Sequence, residues 1–410
     1  MQRIITSVLC IILTSNVFCG YSKNKKIASF PFEKVGSYVV LNVKVNNSSS
    51  LRLILDSGIK NTIITELFED DNLELNYIDT VQLQGLGSER ELNALYSKDN
   101  VLKIGKLQLP KSIVYFLRED VFSLSTMLGK KINGILGSDI FKRYVVDINY
   151  GLSRINIYDP TDYVASEKYE WLPMEISAQN KMFINVNIKE ESSEAYKNVK
   201  VLLDTGAEAA AWFQTIHEDN RVKVSEKYIY GVIGEGLNGE ILGKFSRLKE
   251  LCVGSYCIIN PIVAFPDSNS ITNAVQIAGR DGSVGSQVLK RFNMIFDYRN
   301  KRFYFTKSRL FHEPFEYNIS GLELVQTILF YPVYEVNKVW KYSKAEKAGI
   351  KPGDIIFEIN SEKTYFKTLP EIKKIFSTPS RSPLKLLVKR NDTFISIMLD
   401  MKDELQTTTD

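Results

Sequence analysis

The residues of this chain best suited to catalysis are the aspartates of two short loops. One loop reads Leu55-Asp56-Ser57-Gly58 and the other reads Leu203-Asp204-Thr205-Gly206, so the aspartates lie 148 positions apart. Two carboxylates within hydrogen-bond reach cannot both ionise easily and tend to share one proton. The ionised member can take a proton from water while the protonated member donates a hydrogen bond to a substrate carbonyl. Such a pair can hydrolyse its substrate without a covalent intermediate.

The sequence around the two loops is duplicated. An aspartate followed by a hydroxyl residue and glycine is also ordinary turn chemistry, so either loop alone says little. The flanking residues repeat at nearly the same spacing, however. At offsets of 148 or 149 residues, matching pairs are Gly85-Leu86-Gly87 with Gly234-Glu235-Gly236, Ile104-Gly105 with Val253-Gly254, Gly137-Ser138 with Gly285-Ser286, Lys142-Arg143-Tyr144 with Lys290-Arg291-Phe292, and Arg154-Ile155 with Arg302-Phe303.

We expect this duplication to give two homologous lobes, residues 30–160 and residues 168–307, whose acidic loops face each other across a pseudo-two-fold axis. Short runs rich in β-branched and aromatic residues, punctuated by Gly, Asn and Asp, indicate strands in both copies. The predicted fold class is mostly β, with two barrel-like lobes of six to seven strands each.

Other residues of the two copies suit the support of an aspartate pair. The Ser57 and Thr205 hydroxyls can form hydrogen bonds across the junction between the copies. Gly58 and Gly206 let the backbone pass close to the carboxylates. Glycine-containing hairpins are candidates for flaps that close over a substrate, and their glycines are Gly85, Gly87, Gly234 and Gly236.

Composition excludes one class of partner. The net charge of +4 is small for 410 residues, and no basic stripe with interleaved aromatic residues is present. A nucleic-acid partner is therefore not expected. Hydrophobic content of 44% with 24% charged residues is ordinary for a globular protein, and we expect a monomer without a cofactor.

The N-terminus has the layout of an export signal. Arg3 precedes an apolar run over residues 4–13, which is too short to span a membrane and is followed by small and polar residues. We expect residues 1–20 to be a signal peptide; a buried first strand is the alternative. Cys19 is a candidate site for a lipid anchor, although Phe18 before it is bulkier than such sites usually accept.

Two cysteines lie in the body of the chain. Cys252 and Cys257 flank a Gly254-Ser255 pair, and a two-residue turn there would place them opposite each other in a hairpin. We expect a disulfide in an oxidising compartment; free buried thiols are the alternative. Two cysteines without a histidine at ligand spacing make a poor metal site, so no metal is expected.

A different pattern begins after residues 308–320, which read as a linker. Two segments carry the capping signals of helix N-termini, Ser343-Lys344-Ala345-Glu346 and Thr368-Leu369-Pro370-Glu371, and β-like runs follow each of them. Residues 321–402 are therefore expected to form a separate domain of mixed α/β structure. The polar tail 403–410 is expected to be disordered.

The paired Asp-Ser/Thr-Gly loops, the later hydrophobic-hydrophobic-Gly segments and the duplication resemble the pepsin and retropepsin superfamily of aspartic proteases. Residues 30–307 look most like bacterial exported retropepsin-like proteins that carry both lobes on one chain. The resemblance implies a bilobal fold, hydrolysis of peptide bonds in a polypeptide substrate, and Asp56 and Asp204 as the catalytic dyad. It also implies a periplasmic, envelope-bound or secreted location.

The chain departs from the pepsin pattern directly after each loop glycine. Ile59 and Ala207 stand where pepsins usually have a hydroxyl residue, and alanine there is familiar in retropepsins. By this resemblance we expect a less acidic pH optimum than that of a gastric pepsin. A pH–rate profile that peaks below about pH 3 would contradict that expectation.

The segment Lys347-Ala348-Gly349-Ile350-Lys351-Pro352-Gly353-Asp354 resembles a PDZ domain. Such domains bind an extended peptide as an added strand beside a helix, which here would use Val333, Val336, Ile372 and Ile375. The leading interpretation is an exported aspartic endopeptidase with a PDZ-like domain for peptide docking or regulation. A catalytically inactive peptide-binding or adaptor protein on the same fold is the alternative.

Overall fold

Strands dominate the fold. A computed structural model describes residues 24–83, 92–119, 122–215, 222–236, 239–268 and 279–405. The helices within these ranges are short, and the prediction of a mostly β chain is confirmed. None of the helices in the described ranges is long and apolar enough to cross a membrane.

The first half of the chain builds strands β1 to β11 and helices α1 and α2. Its strands form because buried and exposed side chains alternate, as in β3, where Val43 and Val45 point inward and Lys44 points outward. The bounds are β1 Lys26–Pro31, β2 Glu33–Val35, β3 Tyr38–Val45, β4 Leu51–Leu55, β5 Thr62–Ile64, β6 Ile78–Leu83, β7 Leu92–Ile104, β8 Leu107–Leu117, α1 Leu124–Leu128, β9 Gly134–Leu136, α2 Asp139–Arg143, β10 Val145–Asn149 and β11 Arg154–Tyr158.

The second half builds strands β12 to β24 and helix α3. The same alternation recurs in β14, where Val186 and Ile188 are buried and Asn187 is exposed. The bounds are β12 Glu170–Pro173, β13 Glu175–Ile176, β14 Met182–Lys189, β15 Tyr196–Leu203, β16 Ala211–Phe213, β17 Ile229–Gly236, β18 Gly239–Arg247, β19 Glu250–Val253, β20 Tyr256–Ile259, β21 Ile262–Pro266, β22 Gly282–Val284, α3 Ser286–Leu289, β23 Phe292–Asp297 and β24 Arg302–Lys307.

The C-terminal part has its own sheet and its own helices. Both predicted capping signals are confirmed, since Ser343 Oγ accepts from the Glu346 N–H and Glu371 Oε2 accepts from the Thr368 N–H. The bounds are β25 Leu322–Val325, β26 Glu335–Val339, α4 Lys344–Lys347, β27 Ile355–Ile359, β28 Glu362–Lys363, a 3-10 turn at Thr364–Phe366, α5 Leu369–Ser377, β29 Leu384–Arg390 and β30 Thr393–Leu399.

Each half has a sheet larger than the six to seven strands expected. In the first half the order is β2-β3-β4-β9-β5-β8-β7-β6, with an additional β3–β7 pairing. In the second half the order is β17-β18-β21-β16-β22-β15-β14-β19-β20, with β13 paired to β14. The excess arises because the long β7–β8 and β17–β18 hairpins extend the edges of these sheets.

A third sheet joins the two halves, in the order β1-β11-β10-β23-β24-β12. At its centre β10 and β23 are antiparallel, and Asp147 lies opposite Ile295. These two residues are equivalent at the 148-residue offset, so a pseudo-two-fold axis passes between them. The hydrophobic core around this sheet is continuous across both halves.

Backbone contacts repeat the duplication. The Arg52 N–H donates to Asn133 Oδ1 at 2.8 Å, and the Asn133 N–H donates to Arg52 O at 2.8 Å. In the second copy the Lys200 N–H donates to Asp281 Oδ2 at 2.7 Å, and the Asp281 N–H donates to Lys200 O at 2.8 Å. Both pairs are equivalent at the offset of 148 residues.

The segments flanking the C-terminal sheet are packed. Within residues 308–320, Phe311 belongs to the main core, whereas Tyr317 and Ile319 belong to the C-terminal core. The prediction of a disordered tail is wrong for its first residues. Asp403 Oδ2 accepts a hydrogen bond from Arg247 Nη2 at 2.9 Å, and the two side chains form an ion pair. Leu405 is buried.

Candidate active site

Each acidic loop begins where a buried strand ends. The last three residues of β4 and of β15 are buried and apolar, so each aspartate emerges directly from the core. The Asp56 N–H donates to Leu136 O at 2.9 Å, and the Asp204 N–H donates to Val284 O at 3.0 Å. These carbonyls lie on β9 and β22, which run parallel to β4 and β15. The same parallel pairing therefore positions both loops.

The two loops are joined by reciprocal hydrogen bonds. Ser57 Oγ donates to Leu203 O at 2.7 Å and accepts from the Thr205 N–H at 3.0 Å. Thr205 Oγ1 donates to Leu55 O at 2.8 Å and accepts from the Ser57 N–H at 2.9 Å. Both side chains are buried, so each hydroxyl satisfies one donor and one acceptor of the opposite loop that water does not reach.

The loop glycines bring each carboxylate against the opposite loop. A Cβ at Gly206 would lie 2.2 Å from Asp56 Cγ, and a Cβ at Gly58 would lie 2.8 Å from Asp204 Oδ1. No side chain fits at either distance. Each aspartate therefore occupies the space that the other loop leaves by carrying glycine, and the two carboxylates share one small volume.

Backbone groups hold the carboxylates in place. The Gly58 N–H donates to Asp56 Oδ1 at 2.6 Å, and the Gly206 N–H donates to Asp204 Oδ1 at 3.2 Å. Each bond closes a short ring within its own loop. The backbone of Ile59 also hydrogen-bonds to Asp56, and that of Ala207 to Asp204, so each loop binds its own carboxylate twice.

The two aspartates differ in their electrostatic environment. Asp56 is buried, and this burial together with the charge of Asp204 raises the pKa of Asp56 from 3.8 to about 8. Burial also raises the pKa of Asp204, but the positive charges of Arg280 and Lys181 oppose that rise. Arg280, which acts on Asp204, therefore favours the ionised form of that carboxyl.

Tyr38, Lys181 and Arg280 surround the pair and were missed by the sequence analysis. Burial raises the pKa of Tyr38, and the charges of Glu208 and Asp204 raise it further. Burial lowers the pKa of Lys181, while both dyad carboxylates oppose that shift. The duplicated register does not match Tyr38 with Lys181, because they lie 143 rather than 148 residues apart; Tyr38 begins β3 and Lys181 immediately precedes β14.

The predicted flap glycines fall into two groups. Gly85 and Gly87 lie outside the described residues. Gly234 and Gly236 lie in β17, which pairs with β18 in a hairpin at the edge of the second-half sheet. A register shift between Val232 and Gly234 bends this hairpin.

The C-terminal sheet packs against that hairpin. The Trp340 indole stacks on the Phe245 ring, with centroids 5.8 Å apart and planes 9° apart. A Cβ at Gly231 would lie 2.3 Å from the Trp340 ring, and Lys338 forms an ion pair with Glu240. The position of the flap candidate thus depends on the C-terminal part.

The C-terminal part also contacts the first half. The Gln326 N–H, just after β25, donates to Thr126 O at 2.9 Å. Lys373 Nζ, on α5, donates to Met127 O at 2.7 Å. Helix α1 is therefore seated at the end of the gap between β25 and α5, and the C-terminal part bridges the two halves.

The predicted peptide groove is placed differently from expectation. Val336 is buried and lies on β26, which has β25 on one side and β27 on the other, so no strand can add beside it. Ile372 is buried in the core, Ile375 packs partly against it, and Val333 is exposed. The edge strands of this sheet are β25 and β30, and β25 is contacted by α1 and α5.

The body cysteines are joined in a disulfide. Cys252 and Cys257 pair directly across the β19–β20 hairpin. This hairpin lies at the far edge of the second-half sheet from β17, so the bond does not contribute to the candidate site.

Comparisons with known proteins identify one domain and show a distant structural likeness. Residues 335–390 match the family described as PDZ domain, so the chain contains a PDZ domain there. No curated protein matches the chain. The structure is similar to an aspartic proteinase from Irpex lacteus, with 13% identity and a TM-score of 0.39, over 70% of this chain and 98% of that one.

Proposed function

We propose that this protein is an aspartic endopeptidase that hydrolyses peptide bonds with Asp56 and Asp204. The observation that carries the proposal is the reciprocal junction of the two loops, in which each carboxylate fills the space beside the other loop's glycine. One shared proton and one shared negative charge are the expected state of such a buried pair.

The two environments assign the roles within the pair. Asp204, beside Arg280 and Lys181, stays ionised and takes a proton from the attacking water. Asp56 is protonated before the reaction and donates its proton to the carbonyl oxygen of the scissile bond as water attacks. Water adds to the carbonyl carbon, and the resulting diol collapses as a proton passes to the leaving nitrogen.

The β17–β18 hairpin serves as a cover for the substrate. Its bend lies at Gly234, around which a Cβ would meet nothing within 4 Å, so the hairpin has room to move there. Closing it would exclude water from the dyad and strengthen the electrostatic interactions inside.

The PDZ domain acts as a peptide-docking or regulatory element of this endopeptidase. Its Trp340 is packed against Gly231 of the hairpin, and its Lys373 is bonded to Met127 of the first half. A peptide that adds to the edge of β25 would therefore act on both sides of the dyad.

Export is proposed on the N-terminal sequence pattern alone, since residues 1–20 and Cys19 lie outside the described residues. The proposed location is a bacterial periplasm, the cell envelope or the medium, and the proposed unit is a monomer acting on polypeptides. Mass spectrometry of the mature protein tests cleavage after residue 20 and lipidation of Cys19.

Cleavage of an unfolded protein tests the function. The wild-type chain should cleave it, and both Asp56→Asn and Asp204→Asn should reduce kcat/KM by at least about 1,000-fold while remaining folded. Equal cleavage by all three proteins would remove the dyad assignment. If the wild-type chain cleaves nothing but binds peptides, the adaptor alternative replaces the endopeptidase.

A further inference from the structure

The two halves place different side chains opposite their aspartates. In the first half Val40 pairs with Ile54, and extending this antiparallel register by two residues brings Tyr38 opposite Asp56. In the second half Phe183 pairs with Leu202, and the same extension brings Lys181 opposite Asp204. Tyr38 and Lys181 are therefore equivalent positions, and the second carries a cation.

At a second pair of equivalent positions, the second half again has a cation where the first half has a neutral residue. Asn133 and Asp281 are equivalent, so Arg280 stands where the first half has Ile132, and both side chains are buried. The Arg280 guanidinium lies 4.7 Å from the centre of the Trp212 ring, and its Nη1 donates to Ser283 Oγ at 3.2 Å. Its buried Nε has no hydrogen-bond partner.

This aromatic and hydroxyl support is specific to the second half. Trp212 pairs with Ser283 on β22, just as Ile63 pairs with Ile135 on β9. The first half thus has isoleucine at each place where the second half has Trp212, Arg280 or Ser283. The second half therefore contacts its buried cation, Arg280, with Trp212 and Ser283, and the first half has neither the cation nor these contacts.

The charges around Lys181 do not balance. Lys181 is half-buried and forms no ion pair among the described residues. Among the residues that the structure describes, the charged groups acting on it are Arg280, Asp204 and Asp56, and the two aspartates carry one negative charge between them when they share a proton. Two cations facing one anion leave one positive charge without a partner in a site partly closed to water.

Acidic groups elsewhere at the site do not supply that partner. Glu208 and Glu235 act on Tyr38, on the first-half side of the dyad, and on Lys373 of the PDZ domain. They are thus opposed by a cation of their own. Within the described ranges, the positive charge that lacks an anion therefore lies on the second-half side, beside Lys181.

We propose that Lys181 is a specificity-determining residue that binds the carboxylate of an acidic side chain next to the scissile bond. The inference rests on the proposed endopeptidase function and adds the class of substrate. Arg280 interacts electrostatically with Asp204, which leaves the charge of Lys181 for the substrate carboxylate. The first half, with Tyr38, takes a neutral side chain on the other side of the bond.

Matched peptides test the proposal. Cleavage sites in a peptide mixture from an unfolded protein are first mapped by mass spectrometry. The best-cleaved sequence is then synthesised with glutamate and with glutamine at each position flanking the cut. Wild-type protein should favour glutamate at one of these positions by about tenfold in kcat/KM, the magnitude expected for a charge-assisted contact.

Three variants define the source of the preference. Two variants remove the charge: Lys181→Gln, and Lys181→Tyr, which introduces the residue found at the equivalent position in the first half. Both should bring the ratio of kcat/KM for the glutamate peptide to that for the glutamine peptide close to one. Lys106→Gln removes an exposed lysine from the turn between β7 and β8 and should keep the wild-type ratio. A ratio near one in the wild type, or a ratio unchanged by both Lys181 variants, would overturn the proposal.

A binding measurement separates this inference from the proposed function. Asp56→Asn leaves a neutral amide where the protonated carboxyl stood, so it should retain the binding preference without cleaving. Fluorescence anisotropy of labelled glutamate and glutamine peptides measures their affinities for Asp56→Asn. The same measurement on the double variant with Lys181→Gln shows whether the preference depends on Lys181. Equal affinities would reject the role of Lys181 even if cleavage is confirmed, and a preference in a protein that never cleaves would reject the endopeptidase instead.

Discussion

Replacing Ser57 by alanine tests the junction between the acidic loops. The change removes the hydroxyl that donates to Leu203 O and accepts from the Thr205 N–H, so both backbone groups remain buried without a partner. Each unsatisfied buried group costs about 1–3 kcal/mol. The free energy of unfolding should therefore fall by about 2–6 kcal/mol.

Thr205→Val removes the reciprocal pair of bonds, to Leu55 O and from the Ser57 N–H, at nearly constant volume. Because both variants loosen one junction, the double variant should lose less stability than the sum of the single losses, by at least about 0.5 kcal/mol. Unfolding by urea, followed through the tryptophans, measures all three proteins.

The matched control is Ser29→Ala, whose exposed hydroxyl bonds Asn156 Oδ1 at 2.8 Å. Its stability should stay within about 0.5 kcal/mol of wild type. The reasoning is refuted if Ser57→Ala is no more destabilising than Ser29→Ala, or if the losses in Ser57→Ala and Thr205→Val add fully. Either result would mean that the two loops are not coupled.

Four other predictions follow from the same geometry. Since Asp56 must hold a proton, kcat/KM should decline as the pH rises through about 8; a profile still rising there would contradict the assigned roles. The folded pKa of Asp56 lies above the unfolded value, so wild-type stability should fall between about pH 4 and pH 8, and the denaturant midpoint of Asp56→Asn should fall less over this range. Gly206→Ala should lower kcat by about 100-fold or more, because its Cβ would lie 2.2 Å from Asp56 Cγ. Gly151→Ala should leave kcat unchanged in the same assay, because its Cβ would lie no closer than 3.3 Å to any neighbouring atom. Trp340→Ala should cost about 3–5 kcal/mol and speed hydrogen exchange in the β17–β18 hairpin, whereas the half-exposed Trp171→Ala should do neither.

The duplication made the centre of the site predictable. Asp56 and Asp204 occur in equal sequence contexts, and equal contexts fold into equal strand ends, so the pairing of the two loops follows from register alone. The number of strands in each sheet could not be predicted from the duplication. The length of a hairpin such as β17–β18 depends on the side chains that pack against it from elsewhere in the chain. Here that cover is Trp340, more than 90 residues away in sequence.

The differences between the copies carried information that matching residues did not. Comparing identities located the loops, yet Tyr38 and Lys181 differ and so were passed over. Their importance appears only once strand pairing shows that each lies opposite an aspartate. The PDZ groove was misplaced for a related reason, since sequence does not reveal that β26 is an inner strand and β25 an edge strand.

The shared proton is the central claim, and a titration measures it most directly. With aspartate labelled by carbon-13 at Cγ, the resonances assigned through Asp56→Asn and Asp204→Asn report each carboxyl as the pH is raised. The account predicts two well-separated steps, with Asp204 ionising first and Asp56 near pH 8. Two independent carboxyls that both titrate near the ordinary value of about 4 would contradict it.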